Sequence, residues 1–324
     1  MEINFGSNNV NTTIAFDWTD NANYNFGNSQ FWIHGNNFNG KVYFPYGANW
    51  VSVNASKILN KKIVIPNSVT NMAYTFFNCR RFNQPVNIPN SVTSMYSTFN
   101  NCANFNQPIN IPDGVKSMAN TFTGCWKFNQ PINIPNSVTI ISNTFKGCPN
   151  FNQPINISNS ATNMYGTFSG CYNFNQPINI PNSVTSMATT FDNCWKFNQP
   201  INIPNSVINI HKIFSGCTNF NQPVNIPNSV TDMAYTFNGC IHLSNVILQN
   251  IQTSTNMTGM FSGKLSNGTW INIPLNIYTT DAVATLLKNS YVFNLGGGSV
   301  NFESMENGYY NSAYNIYIYN NYTE

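Results

Sequence analysis

A single pattern of apolar and polar positions recurs every 23 residues through the middle of the chain. It is marked by a phenylalanine at the start of the phrase FNQP, at Phe82, Phe105, Phe128, Phe151, Phe174, Phe197 and Phe220. The same spacing separates the eight cysteines, Cys79, Cys102, Cys125, Cys148, Cys171, Cys194, Cys217 and Cys240. A fixed period of this length is typical of repeat proteins, in which each unit buries its apolar face against the next unit.

One copy, residues 128–150, shows the elements that the pattern predicts. Ile132 and Ile134 alternate with Asn133, which is the period of a strand with its isoleucines facing inward. The following apolar residues fall at spacings of 3, 4 and 3, the pattern of a short helix or a helical turn: Val138, Ile141, Phe145 and Cys148. The residue before each cysteine is Gly or Asn, which can end that turn. We therefore expect strands that pair in parallel between neighbouring coils.

The repeated letters also resemble known families. The phrase IPNSVTxMxxTFxxC followed by FNQP resembles the BspA-like leucine-rich repeat, and FNQPxxxIPNSVT is similar to FNIP repeats. The match covers residues 59–265. It implies a leucine-rich-repeat solenoid and a binding or adhesion scaffold, on bacterial surfaces for the first family and beside protein-recruiting modules for the second.

Together these observations predict an α/β repeat solenoid. About nine coils of 23 residues, over residues 59–265, would share a parallel β ladder. Residues 1–58 do not repeat and are predicted to form a β-rich cap or attachment unit. Residues 266–324 are predicted to form a C-terminal cap or β-rich unit.

The flanking segments contain their own local signals. FWIHG from Phe31 and KVYFPYG from Lys41 read as short strands broken by Gly and Asn. Thr280-Asp281 followed by AVATLLKN predicts a capped helix of about two turns. GGGS at Gly296 predicts a turn or hinge, and YNIYIYN near the end predicts a strand with one apolar and one polar-aromatic face.

Composition narrows the function classes. Charged residues make up only 7% of the chain and the net charge is +3, so no nucleic-acid footprint is expected. Hydrophobic residues at 42% and aromatic residues at 15% are sufficient for a core. No apolar run approaches the length of a membrane span, so we expect no membrane insertion. The N-terminal letters lack a signal-peptide pattern, which predicts synthesis in the cytoplasm without an export signal.

The cysteine spacing argues against a zinc site. Zinc needs four converging ligands, whereas a 23-residue spacing places the thiols in a line along the stack. Disulfides between neighbouring coils are allowed by distance but would force one core position into alternating geometries. We therefore expect a row of buried free thiols that pack as small apolar side chains.

No catalytic group is recognisable in the sequence. The three histidines, His34, His211 and His242, are scattered, and no repeated acid accompanies them. Glu303 and Glu306 are the nearest candidates for acid–base chemistry, and a solvated tail accounts for them. We expect no cofactor, no metal and no enzymatic activity.

Candidate binding residues lie where the repeats differ from one another. The two positions after each cysteine vary and include aromatic residues beside Lys or Arg, which are good binding anchors. These candidates are Arg80, Arg81, Trp126, Lys127, Tyr172, Trp195 and Lys196. The alternative is that the tryptophan rings fold back and cover the coil edge. Tyrosines also occur at variable positions near the core phenylalanine, at Tyr74, Tyr96, Tyr165 and Tyr235.

An asparagine row recurs at the outward position of the predicted strand. It comprises Asn87, Asn110, Asn133, Asn156, Asn179, Asn202 and Asn225. We interpret it as an amide ladder or a flat polar surface, with ligand binding as the alternative.

The functional hypothesis is a non-enzymatic structural and recognition scaffold on a virion surface, such as a phage fibre, baseplate or capsid decoration protein. The alternatives are a BspA-like adhesin at the cell surface and an intracellular adaptor for protein–protein interaction. The expected partners are a glycan or protein receptor on a host surface and other virion or surface-assembly proteins. Self-association into a homo-oligomer stays open.

Overall fold

A computed structural model describes residues 2–4, 8, 11, 13–15, 30–45, 47–248, 251–252, 254–261, 275–289, 302–305, 307–311 and 316–320. The chain divides into two compact units, which we call unit 1 (Met1–Ala161) and unit 2 (Thr162–Glu324). Each unit contains coils joined by parallel backbone pairing, so the fold is a repeat solenoid. The predicted turn or hinge at Gly296 lies outside the described residues.

Unit 1 begins with six short strands in two parallel sheets. One sheet contains, in spatial order, β1 (Glu2–Asn4), β3 (Gln30–His34) and β5 (Trp50–Ser52). The other contains β2 (Ile14–Ala15), β4 (Val42–Tyr43) and β6 (Ile63–Val64). Because β4 pairs with β6, and Trp50 pairs with Asn71, the parallel pairing of residues 1–58 continues into the first repeat.

Beyond β6, the coils of unit 1 pair through single parallel bridges. The bridged residues are 23 positions apart: Asn71, Ser94, Ser117 and Ile140. Beside Ser117, the Met118 N–H donates to the Ile140 carbonyl at 2.9 Å. Unit 2 has the same arrangement at Asn163, Ser186, Asn209 and Asp232, and Asp232 is bridged in turn to Asn256, 24 positions later.

The strand predicted around Ile132–Ile134 is wrong, since these residues form no strand in the structure. Pro131 and Pro135 flank the segment, and proline has no backbone N–H to donate to a neighbouring strand. Two coils lack the first of these prolines. Both form a strand at the corresponding place, namely β6, where Lys62 replaces the proline, and β7 (Asn245–Leu248). Proline therefore removes the strand at this place, whereas the bridged position pairs in coils with and without the proline.

Residues 138–148, which contain the apolar positions predicted to face one side of a helix, form consecutive tight turns and no helix. The Cys148 N–H donates to the Phe145 carbonyl at 3.0 Å, a three-residue spacing. Asn143 and Gly147 have positive φ angles of 54° and 67°, and left-handed residues interrupt a right-handed helix. The same left-handed backbone occurs at the Asn or Gly before every cysteine, as the sequence predicts for a turn end. The short-helix interpretation is wrong, and the α/β class does not hold for the described coils.

Two columns of buried phenylalanine rings form the core. Phe99 stacks on Phe105 with ring centroids 4.3 Å apart and on Phe122 of the next coil at 5.7 Å. Phe105 in turn stacks on Phe128 at 6.0 Å. All four rings are fully buried. Burying one such ring stabilises the fold by about 1.5–3 kcal/mol, so the repeated phenylalanines explain why coils stack in register.

The buried cysteine thiols and threonine hydroxyls inside the stack donate hydrogen bonds to backbone carbonyls of the preceding coil. Cys125 Sγ donates to the Phe99 carbonyl at 3.0 Å, and Thr121 Oγ1 donates to the Met95 carbonyl at 2.8 Å. All eight cysteines are free and buried, which confirms the predicted row of buried thiols. Burial raises the pKa of the Cys79 thiol to about 12, so it is protonated at neutral pH.

An amide ladder runs along the FNQ letters. The Asn106 N–H donates to Asn83 Oδ1 at 2.9 Å, and Gln107 Nε2 donates to the same oxygen at 3.1 Å. The next coil repeats both bonds, with Asn129 and Gln130 donating to Asn106 Oδ1. Each Asn-Gln pair therefore fastens its coil to the one before it, which accounts for the invariance of these letters.

Unit 2 ends in a five-stranded mixed sheet with the order β7-β8-β11-β10-β9. Its members after β7 are β8 (Leu275–Thr279), β9 (Glu303–Met305), β10 (Gly308–Asn311) and β11 (Ile316–Asn320). Helix α1 (Asp281–Asn289) packs against β10 and β11. Both the predicted helix and the predicted C-terminal strand are confirmed.

The left-handed positions give a stability prediction with an internal control. A Cβ at Gly124 would lie 2.4 Å from Asn101 Oδ1, whereas a Cβ at Gly147 meets nothing closer than 3.7 Å. Both residues have left-handed φ angles, so Gly147→Ala should cost about 1 kcal/mol. Gly124→Ala should cost about 1 kcal/mol more, because Asn101 must move and lose its hydrogen bond to Asn78. Urea unfolding of the two variants measures the difference.

The same comparison can be repeated in unit 2. A Cβ at Gly216 would lie 2.4 Å from Asn193 Oδ1, and one at Gly239 lies 3.5 Å from Gly216. Equal losses for the two members of both pairs would contradict the proposed role of the asparagine contact.

The buried thiols predict resistance to alkylation. A thiol with a pKa near 12 holds about a thousandfold less thiolate at pH 8 than one with its ordinary value near 9. Iodoacetamide should therefore leave the eight cysteines unmodified in the folded protein and modify all of them in denaturant. Mass spectrometry counts the adducts, and rapid labelling of any cysteine in the folded chain would contradict the buried row.

Candidate binding surface

The variable residues after each cysteine occupy the tips of tight turns. In one coil of unit 1, the Phe128 N–H donates to the Cys125 carbonyl at 3.0 Å, which closes a turn around Trp126 and Lys127. Cys125 and Phe128 are both fully buried. Because the two ends of the turn are anchored in the core, the two central side chains project to solvent.

The turn tips stack along each unit through backbone hydrogen bonds. In unit 1 the Lys127 N–H donates to the Ala103 carbonyl at 3.0 Å. In unit 2 the Lys196 N–H donates to the Tyr172 carbonyl at 3.2 Å, and the Asn219 N–H donates to the Trp195 carbonyl at 3.1 Å. We call these stacked turn tips the corner column. Its residues are the pairs 80–81, 103–104, 126–127 and 149–150 in unit 1, and 172–173, 195–196, 218–219 and 241–242 in unit 2.

All seven predicted site residues are exposed members of the corner column. The Trp126 side chain is 65% exposed and that of Trp195 is 48% exposed, so neither ring is folded flat over the core. In unit 2 the structure brings Tyr172 and Trp195 together, with ring centroids 4.1 Å apart and planes within 7°. Lys196 follows directly in the same turn as Trp195. In unit 1, Trp126 and Lys127 share a turn, and Arg80-Arg81 lie two coils earlier.

The asparagine row at Asn87 and its equivalents is not the amide ladder. These residues are exposed, and the hydrogen-bonded ladder lies four residues earlier, at Asn83 and its equivalents. The sequence contains a signal for the position of the ladder. The asparagine of each FNQP phrase is followed by an invariant glutamine, whose side chain can donate to the same asparagine oxygen of the preceding coil. The Asn87 row is an exposed polar surface.

The variable tyrosines form smaller clusters on each unit. In unit 1, Tyr74 and Tyr96 meet edge to face at 5.2 Å, and a hydrogen bond with Tyr96 is the main cause of a raised pKa for Tyr74. In unit 2, the Tyr235 ring lies 6.0 Å from that of His211 and 5.4 Å from the Lys212 ammonium. The repeat pattern marks these tyrosines as variable but does not indicate their contacts with neighbouring coils.

No chemistry beyond binding is visible in the described ranges. Within them, no three acidic, histidine or cysteine side chains converge as metal ligands would. His211 Nδ1 lies 3.9 Å from Asp232 Oδ2, and both side chains are only about one third exposed on a coil surface. No helix in the described part of the chain has the length and apolar character needed to cross a bilayer.

Stacked coils with a uniform core and variable exposed corners define a solenoid interaction scaffold. The family model described as "Mycoplasma protein of unknown function, DUF285" matches residues 53–156 and 116–226, more than half of the chain. The model described as "BspA type Leucine rich repeat region" matches residues 187–286. The chain belongs to the DUF285 family and is a BspA-like leucine-rich repeat protein.

Solved structures share the fold at low sequence identity. A leucine-rich repeat protein from Bacteroides ovatus is 23% identical, with a TM-score of 0.54, over 73% of this chain and 61% of that chain. The pneumococcal vaccine antigen PcpA is 13% identical, with a TM-score of 0.51, over 91% of this chain and 80% of that chain. This chain thus spans about three fifths of the Bacteroides ovatus protein. Comparison with curated proteins gives no significant match.

The exposed corner predicts that Trp195 contributes little to folding. Trp195→Ala removes a half-exposed ring and its stacking on Tyr172, which should cost about 0.5–1.5 kcal/mol. Phe197→Ala, two residues later, empties a fully buried site and should cost about 3–5 kcal/mol. Chemical denaturation of the two variants compares them, and an equal loss would mean that the Trp195 ring serves the core.

Proposed function

We propose that this protein is an adhesin-type recognition scaffold at a cell surface, which binds a protein receptor through the corner column. The stacked pair Tyr172 and Trp195 carries the proposal, because two large rings lie exposed and parallel beside Lys196. Aromatic and cationic side chains of this kind are the usual anchors of protein interfaces. Family membership supports a surface adhesin, since BspA-like repeats are commonly found in cell-surface proteins.

The geometry of the pair favours binding over folding as its role. Each ring is fixed by a backbone turn whose ends are buried, so little side-chain entropy is lost when a partner covers it. The stacking of Tyr172 on Trp195 restricts the rings further before a partner arrives. Lys196 adds a charge on a chain that carries few charges, which can orient an approaching acidic surface.

The extent of the repeat array is part of the proposal. The repeat array would consist of about nine coils of 23 residues over residues 59–265. In the sequence it would be flanked by the N-terminal segment 1–58 and the C-terminal segment 266–324. The parallel bridges between residues 23 positions apart support this count. The virion-surface role stays a prediction, and the family match favours the cell-surface alternative.

Adhesion of the full chain tests the proposal. Beads coated with the protein should adhere to host cells or matrix proteins, and adhesion should fall at least about tenfold in Tyr172→Ala and in Trp195→Ala. Tyr165→Ala is the matched control, because that tyrosine is similarly exposed and lies outside the corner column. Protease treatment of the target surface should abolish adhesion if the receptor is a protein.

Two outcomes would contradict the proposal. One is adhesion that is unchanged in both corner variants. The other is failure of a membrane-impermeant reagent to label the protein on intact producing cells, with labelling only after lysis.

A further inference from the structure

A second surface of unit 2 combines the asparagine row with the C-terminal sheet. Asn225 pairs with Ile247 of β7, Ile247 pairs with Tyr278 of β8, and Tyr278 pairs with Tyr319 of β11. These four residues therefore lie in one line across neighbouring strands. Asn202 precedes Asn225 by one coil and is also exposed. We call these five residues the neutral strip.

The strip lies on the face of the sheet opposite to helix α1. Along β8 and β11 the residues alternate, with Ile277 and Ile318 fully buried and Tyr278 and Tyr319 partly exposed. Helix α1 packs against β10 and β11, and its residues Val283, Ala284 and Leu287 are buried with the isoleucines. Because side chains alternate between the two faces of a strand, the tyrosines point away from the face that holds the core.

Two shallow depressions lie along the strip. One, of about 360 Å³, is lined by Asn221, Pro223, Asn245, Ile247 and Tyr278. The other, of about 230 Å³, is lined by Asn202, Ile203, Asn205, Asn225, Pro227 and Asn228. The first volume is within the range of small-ligand sites. None of the described residues that line either depression carries a charge.

The chemistry of the lining selects a class of ligand. An ionic ligand would lose hydration at the strip and find no opposite charge there. Asparagine amides offer both donors and acceptors, which match hydroxyl groups. An aromatic face is electron-rich and attracts the weakly positive C–H bonds on one face of a sugar ring. Burial, with Tyr278 and Tyr317 nearby, raises the pKa of Tyr319, so its phenol also stays neutral at physiological pH.

We propose that the neutral strip binds an uncharged oligosaccharide, with one sugar ring in the depression beside Tyr278 and the chain extending towards Asn225 and Asn202. Tyr278 and Pro223 supply the apolar contacts of that sugar. Asn221 and Asn245 supply amides at the rim of the depression. The strip uses other positions of the coil than the corner column, so this inference stands or falls separately from the proposed receptor site.

A panel of oligosaccharides tests the proposal on the full chain. The probes are neutral hexose and N-acetylhexosamine oligomers, with sulfated and uronic-acid oligomers as charged comparators. Isothermal titration and saturation-transfer NMR should detect at least one neutral oligomer. Its Kd should rise at least about tenfold in Tyr278→Ala and in Asn225→Arg, which places a bulky charge in the strip.

Matched variants separate binding from folding. Tyr278→Phe keeps the ring and should retain most of the affinity, whereas Tyr165→Ala should leave the Kd unchanged. Circular dichroism establishes which variants are folded, and Asn225→Arg alters an exposed side chain, so it carries the test if Tyr278→Ala misfolds. Failure of every neutral oligomer to bind would overturn the proposal. Preferential binding of the charged comparators, or an unchanged Kd in a folded strip variant, would also overturn it.

Discussion

Backbone hydrogen bonds between neighbouring coils are the interaction on which the rest of this structure depends. A coil of this length, punctuated by prolines and left-handed residues, satisfies only some of its N–H groups internally, so it donates others to the next coil and to the preceding coil. These hydrogen bonds recur at the same positions of successive coils and fix the register, and a fixed register places like residues above like residues. The phenylalanine columns, the thiol row and the amide ladder all follow from that alignment. A single solution to core packing can then be used by every coil.

The same alignment determines where the surface is free to vary. Cys125 and Phe128 must stay buried, whereas Trp126 and Lys127 between them touch little of the core. The asparagine row has a similar freedom, since its side chains lie outside the hydrogen-bonded ladder. Each coil therefore contributes to two kinds of surface. One is the aromatic and cationic corner column, and the other is the uncharged asparagine row. Their different charge suits them to different classes of partner.

Most of the architecture can be predicted from the repeat period. Stacking, the buried cysteines, the turn ends at Asn or Gly, α1 and the last strand all follow from spacing and residue type. The strand predicted at Ile132–Ile134 is wrong because Pro131 and Pro135 lack the backbone N–H groups that strand pairing needs, and alternation of side chains does not reveal this. The sequence marks the seven corner candidates as variable but leaves open whether the tryptophan rings fold back over the coil edge. It does not predict the stacking of Tyr172 on Trp195, which depends on side-chain orientation across coils. The alignment of Asn225 with Tyr278 lies in the pairing of β7 and β8, which carries no repeat signal.

The amide ladder also has a direction. Each asparagine oxygen accepts from the coil that follows it, and at the last such contact Ser244 donates to Asn221 through its N–H and its hydroxyl. Serine has no amide oxygen to offer a further coil, so the ladder stops where the C-terminal sheet begins. Internal coils, by contrast, all carry the same donor groups on one side and the same acceptor group on the other, so one internal coil can take the place of another. Duplication or loss of one 23-residue segment would leave every contact type intact, so the length of the array can evolve independently of its two ends.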